Sequence, residues 1–267
     1  MFTLPKFRAR MPVCQAVDAF FLDIQRHSAL TQQYYRRAVK AFTLQFPKKY
    51  VSSYTSANVN QYLTKFSWGR ENSTVNNHLK ALKAFFRFLS ENYGITNITA
   101  GIRKRKENIP HRPFISKKDL DKILASATQK EKDVILMLCM TGMRCSELCG
   151  LRPENISPNL SSITIQGKGG KVRTIPCNQT VKEILSRSIN FPKNRKSIYN
   201  ICHNAARHKD ISLAPHTLRR FFATQLLAKG ISLLIISRLL GHSSVRTTEI
   251  YLQLDSSFLS GATDCLD

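Results

Sequence analysis

The stretch from residue 99 to residue 115 cuts this chain in two. It carries the run Arg103-Lys104-Arg105-Lys106, and Pro110 and Pro113 follow. Proline locks its own φ and pushes the residue before it out of the α region, so no helix is expected to pass through. Apolar residues recur at helical spacing on both sides. The segment therefore reads as a basic interdomain linker. A run like this is either solvated or laid along a phosphate backbone, and both readings stay open.

Upstream, Val13, Val17, Phe20, Phe21 and Ile24 recur with a helical period. So do Tyr34, Ala38, Ala41 and Phe42, and then Val59, Tyr62, Leu63 and Phe66. Ser73-Thr74 is placed to cap a fourth helix, whose stripe Val75, Leu79, Leu82, Phe86 and Leu89 stops before Gly94. Four amphipathic helices with short connections predict an all-α domain within residues 1–98. Its polar faces hold Arg36, Arg37, Lys40, Lys80, Lys83 and Arg87. These are either an ordinary solvated surface or phosphate contacts.

Downstream, a second domain is expected over residues 116–267, opening at the capping-box pattern Ser116-x-x-Asp119. Val134–Met140 is a continuous apolar run that predicts a buried helix. Ser161–Ile165 and Val172–Ile175 are short β-rich runs around Gln166-Gly167-Lys168-Gly169-Gly170-Lys171, which reads as a glycine-rich hairpin. Helices are expected near 180–187 and 197–208. Another follows from Pro215 toward Gly230, then one over Ile231–Leu240 closing at Gly241, and one from near Ser244. The fold class is thus mainly α with a small β-hairpin.

Charge narrows the function. There are 41 Lys and Arg against 17 Asp and Glu, a net charge of +24 and a pI near 10.1. The excess is spread along the chain and attracts polyanions, nucleic acid foremost. An anionic membrane surface is the rival partner, but no stretch is long and apolar enough to span a bilayer. Met1–Arg10 is basic without the apolar core of an export signal, so a cytoplasmic protein is expected. The 7 cysteines include no Cys-x-x-Cys, and Cys145/Cys149 has no matching pair, so reduced thiols and no metal site are expected.

The chemistry-bearing residues lie in the second half. Arg144 and Glu147 follow the buried helix, Lys168 sits on the hairpin, and His216 and Arg219 share a helix face in Pro215-His216-Thr217-Leu218-Arg219. His242 follows Gly241, and Tyr251 comes later. Each has a plain alternative: Arg144 as a structural partner of Glu147, Lys168 as an exposed hairpin lysine, Tyr251 as core. Together they suit metal-free phosphoryl transfer. Two arginines can fork onto the non-bridging oxygens of a phosphate and neutralise charge in its transition state. Tyr251 is a nucleophile whose proton must leave, with His216 as the nearest base. Lys168 can protonate a departing 5′ oxygen, and His242 can add a hydrogen bond to the phosphate.

Thr141-Gly142-x-Arg144-x-x-Glu147-Leu148, Gly167-Lys168-Gly169, His216-x-x-Arg219, Leu240-Gly241-His242 and Tyr251 resemble the tyrosine recombinase (phage integrase) family, especially its Xer-like members. The resemblance covers essentially the whole chain, weakly over residues 10–95. Arg220-Phe221 departs from the histidine and threonine or serine of many relatives. The resemblance implies a two-domain DNA clamp, with a helical SAM-like core-binding domain and a catalytic domain. It implies catalysis by Arg144, Lys168, His216, Arg219, His242 and the nucleophile Tyr251, supported by Glu147. It further implies no cofactor, a 3′-phosphotyrosyl intermediate and no ATP. The implied partner is double-stranded DNA with paired inverted half-sites, bound by a homotetramer or a heterotetramer with a related recombinase. Strand exchange would pass through a Holliday junction, in a nucleoid-associated protein. A nicking-closing topoisomerase of type IB and a catalytically silent DNA-binding protein are the alternatives.

Overall fold

The structure is a computed structural model and describes residues 10–107, 115–167, 170, 172–207 and 211–241. The chain divides into two compact units, 1–110 and 111–267. Each buries its own apolar core.

The first unit is built from α1 (Val13–Asp23), α2 (Ala29–Gln45), α3 (Ser56–Phe66) and α4 (Asn72–Tyr93). Ser28 caps α2 by accepting from the Thr31 N–H, and Thr55 and Asn58 form a reciprocal capping box on α3. The stripes expected from the sequence meet inside, where Phe20, Phe42, Leu79, Leu82, Phe85, Phe86 and Leu89 are all buried. Aromatic edges lock the layers: Phe20 meets Phe85 at 5.3 Å between ring centroids, and Phe42 meets Tyr62 at 5.6 Å, both edge to face.

The start of α4 differs from the expected cap at Ser73-Thr74. Gly69 turns the chain with φ of +66° and Glu71 is extended, so the helix begins at Asn72 and both hydroxyl residues fall in its first turn. Asn72 and Asn76 are thereby aimed at the basic segment. Asn72 donates to the Lys106 carbonyl, while Asn76 accepts from the Arg105 N–H and donates to its carbonyl, at 2.8 to 2.9 Å. Residues 105 and 106 thus lie along the first unit.

The second unit contains α5 (Lys117–Ser126), α6 (Gln129–Thr141), α7 (Cys145–Cys149), β1 (Ser162–Gln166), β2 (Val172–Pro176), α8 (Gln179–Arg187), α9 (Arg195–Ala206), α10 (Pro215–Ala228) and α11 (Leu233–Leu240). Ser116 caps α5 as expected, accepting from the Asp119 N–H. The apolar run Val134–Met140 is the body of α6, against which α8, α9 and α10 pack. β1 and β2 pair antiparallel, with Ser162 opposite Pro176 and Gln166 opposite Val172. Phe222 and Ala223 of α10 meet Ile236 and Leu240 of α11 in a smaller apolar cluster. The helix expected from near Ser244 lies outside the described residues. Among those described, no helix is long and apolar enough to cross a membrane.

One buried polar pair makes the first unit sensitive to acid. His78 Nδ1 lies 2.8 Å from the Tyr62 hydroxyl, and the imidazole stacks on Phe66 at 3.8 Å. Burial, with the positive charges of Arg37 and Arg70, pulls its pKa from 6.5 down to about 4. The folded pKa is depressed, so the unfolded chain takes the proton first. The neutral imidazole's contribution is therefore full above about pH 6.5 and lost as pH falls toward 4. Scanning calorimetry should show the melting temperature dropping across that window. His78→Gln should flatten the drop, because the amide cannot titrate.

Candidate active site

Glu147 gathers the site. Its carboxylate is almost buried, at 7% exposure, and three arginines from different elements converge on it. Arg144, the residue before α7, donates its backbone N–H to Oε2 at 2.7 Å and its Nη1 to Oε1 at 2.9 Å. Arg173 on β2 grips both oxygens, Nη1 to Oε1 at 2.9 Å and Nη2 to Oε2 at 2.7 Å. Arg219 on α10 brings Nη1 to 4.0 Å from Oε2. Burial by itself would raise the carboxyl pKa. The hydrogen bonds and charge of Arg173, with those of Arg144, outweigh it and hold the pKa at about 2, so Glu147 is ionised at neutral pH.

The same arginines also bind the carboxyl end of α11. Arg173 Nε donates to the Leu239 carbonyl at 2.8 Å, Arg219 Nη2 to the Leu240 carbonyl, and Arg144 Nη2 to the Gly241 carbonyl at 3.3 Å. Terminal carbonyls of a helix lack intrahelical donors and carry the negative end of its dipole, so cations suit them. Arg219 Nη1 further donates to the Gly142 carbonyl, at the end of α6. Four chain segments are thus tied at one point by guanidinium groups.

Two glycines make this approach possible. Gly142 has φ of +62°, and a Cβ there would sit 2.5 Å from Phe222 Cδ1 and 2.9 Å from Leu240 Cδ2. Gly241 has φ of +65°, and its Cβ would meet Arg173 Cδ at 2.9 Å.

Of the residues singled out in the sequence, Arg144, Glu147 and Arg219 come together directly. His216 lies on the first turn of α10, exposed, while Arg219 one turn on is buried with 1% exposure. Arg144 keeps 39% of its side chain exposed and faces a 740 Å3 cleft shared with Ser146, Arg152, Asn155, Thr164 and Gln166. Lys168, His242 and Tyr251 lie outside the described residues. Cys145 beside Arg144 holds its proton, because burial pushes its thiol to about 11.

Arg173 is the residue that sequence reading missed. It falls inside the β-rich run Val172–Ile175, which the sequence reads only as a strand. The available signal was an arginine just beyond the glycine-rich turn, in Val172-Arg173-Thr174-Ile175.

The basic residues of the first unit separate into two groups. Arg36 donates to the Phe21 carbonyl at 3.1 Å and covers the Phe21 ring, with Lys40 also over that ring. Lys80, Lys83, Arg87 and Lys104 instead border one 290 Å3 cleft with Asn97 and Thr99, and among the described residues no acidic one lines it, though Arg87 also pairs with Glu91 at 3.9 Å.

Comparison with known proteins agrees with this arrangement. The Phage integrase family matches residues 113–257, and the Phage integrase N-terminal SAM-like domain matches residues 17–93. The chain is 31% identical over 213 residues to tyrosine recombinase XerA of Pyrococcus furiosus, covering 72% of this chain and 73% of that protein. It is 29% identical over 224 residues to tyrosine recombinase XerC of Thermodesulfovibrio yellowstonii, covering 72% and 74%. In fold it resembles the Tn1549 transposon integrase in complex with transposon right end DNA, with a TM-score of 0.72 at 18% identity over 96% of this chain and 99% of that one. A lambda integrase tetramer bound to a Holliday junction gives 0.74 at 19% identity over 88% and 79%. The chain belongs to the phage integrase family and is a tyrosine-type site-specific recombinase of the Xer-like kind.

Gly142→Ala should cost about 2–4 kcal/mol, summing a strained left-handed conformation and overpacking against Phe222. Denaturant titration measures it, and a loss below about 1 kcal/mol would mean that Phe222 gives way freely.

Proposed function

We propose that the protein cuts and rejoins double-stranded DNA through Tyr251. The Tyr251 hydroxyl attacks the scissile phosphorus, its proton passes to His216, and the bond from phosphorus to the 5′ oxygen breaks. Lys168 protonates that oxygen. Arg144 and Arg219, with His242, hold the non-bridging oxygens as charge develops. A 3′-phosphotyrosyl linkage and a free 5′-hydroxyl result. Attack by the 5′-hydroxyl of a partner strand then reverses the chemistry and releases Tyr251 without ATP.

The observation that supports this reading best is the convergence of Arg144 and Arg219 on one ionised carboxylate. Three arginines against one carboxylate leave net positive charge where a phosphodiester would dock. Arg144 stands partly open to the cleft. Arg219 reaches a phosphate only if the groups over it withdraw. The metal-free route assigns transition-state charge to these guanidinium groups.

We further infer that the first unit and the basic segment, residues 99–115, follow the DNA backbone through the cleft of Lys80, Lys83, Arg87 and Lys104. The substrate is read as paired inverted half-sites. Since the lambda integrase of similar fold is a tetramer on a Holliday junction, a homotetramer or a heterotetramer with a related recombinase is the assembly proposed. Work on chromosomal DNA would take place in the cytoplasm, at the nucleoid.

Two experiments test the reading. DNA flanking the protein's own gene, rebuilt as a nicked suicide duplex, should trap a covalent adduct on a denaturing gel. Tyr251→Phe should bind that duplex and trap none; a shifted band from the variant would move the nucleophile elsewhere. Separately, affinity should fall steeply with salt. Neutralising Lys80, Lys83, Arg87 and Lys104 should flatten the log–log slope by about 0.9 for each phosphate that is no longer neutralised. An unchanged slope would return these residues to the solvated surface.

A further inference from the structure

The geometry points to Arg173 as a positioning residue for cleavage, acting through Glu147 and the end of α11 to hold Arg144 in place. The inference rests on the proposed role of Arg144 at the phosphate.

Arg173 has only 9% of its side chain exposed, so it is poorly placed to meet DNA itself. Its contacts are all internal and use three of its nitrogens: Nη1 and Nη2 on the two Glu147 oxygens, and Nε on the Leu239 carbonyl. One rigid, planar group therefore spans β2, α7 and α11. A lysine, with a single nitrogen, cannot make this set of contacts. Gly241 makes room for it, since a Cβ there would lie 2.9 Å from Arg173 Cδ and 3.0 Å from Nη1.

The reason for the device lies in the balance of charge at Arg144. Were Glu147 paired with Arg144 alone, the two charges would cancel and little attraction for a phosphate would remain. With Arg173 neutralising the carboxylate, Glu147 orients Arg144 by hydrogen bonds to its backbone N–H and Nη1. Arg144 keeps its positive charge uncancelled. Arg144 Nη2 touches the Gly241 carbonyl, so the guanidinium is braced on one side by Glu147, which Arg173 grips, and on the other by the end of α11, where Arg173 holds the Leu239 carbonyl two residues earlier. Among the described residues, the charged groups facing Glu147 are Arg144, Arg173 from β2 and Arg219 from α10, while α11 contributes carbonyls.

The test uses the full-length protein and the nicked suicide duplex rebuilt from DNA that wild type traps covalently. That trapping, with its loss in Tyr251→Phe, establishes the underlying reading before Arg173 is altered. Arg173→Lys and Arg173→Met should then lower the single-turnover cleavage rate by about tenfold to a hundredfold, the scale of misplacing one catalytic group. Duplex affinity should stay within about twofold, since Arg173 itself does not meet the DNA. In Arg173→Met the Glu147 carboxyl is deprived of its main cation and burial raises its pKa. The rate profile should therefore gain an ionisation absent from the wild type, with activity falling as pH drops through it.

Glu147→Gln should abolish that ionisation. In the Glu147→Gln background, Arg173→Met should cost little more, because both act along one path. Independent, multiplying effects of the two substitutions would overturn the proposal. So would weaker duplex binding at an unchanged cleavage rate. If neither Arg173→Lys nor Arg173→Met folds cooperatively by calorimetry, Arg173 serves stability and the positioning role is wrong.

Discussion

A single buried carboxylate, Glu147, carries the organisation of the catalytic unit. Taking an ion out of water costs several kcal/mol, and that cost is recovered only when opposite charges and donors meet it in good geometry. Here the partners come from the start of α7, from β2 and from α10. Each is held by a different part of the apolar core, so the core must be correctly assembled before the charge can be buried. The site therefore depends on packing far from it. Removing the carboxylate would leave the guanidinium groups without their shared counter-charge in a largely dry place, which is more damaging than losing a surface pair.

The end of α11 is the second beneficiary. Its last carbonyls would be orphaned in any isolated helix, and here three guanidinium groups satisfy them. This fixes where the chain leaves at Gly241. Helix termini commonly serve as anion sites at their amino ends. In this protein a carboxyl end collects cations, of which Arg144 alone is substantially exposed. Packing of Phe222 against Ile236 and Leu240 holds α11 at the distance that this requires.

Function and stability pull in opposite directions at the two arginines. Arg219 is sealed, with both terminal nitrogens on carbonyls, and stabilises the unit as it stands. Arg144 is partly exposed beside a 740 Å3 cleft. The pair is thus unequal in the free protein: one group is presented, the other held. A comparable division marks the first unit. Arg36 is held against α1, while Lys80, Lys83 and Lys104 border a cleft with Arg87, whose Nε also lies 3.9 Å from Glu91 Oε1.

Much of this was legible in the sequence because helices advertise themselves locally. The period of Val75, Leu79, Leu82, Phe86 and Leu89 has one solution, an amphipathic helix, and left-handed glycines at Gly94, Gly142 and Gly241 mark its kind of ending. Arg144, Glu147 and Arg219 were readable as a set because they fall in motifs that resemble those of the tyrosine recombinase family. The cap of α4 was not, since Ser73 and Thr74 suit an N-cap equally well until the turn at Gly69 is known. Arg173 was hidden for a deeper reason. Its partners are Glu147 and Leu239, distant in the chain and adjacent only after β2, α7 and α11 have packed. Residue types and local periods are written in sequence, whereas which buried charge meets which carbonyl is decided by long-range packing, and only the tertiary structure contains it.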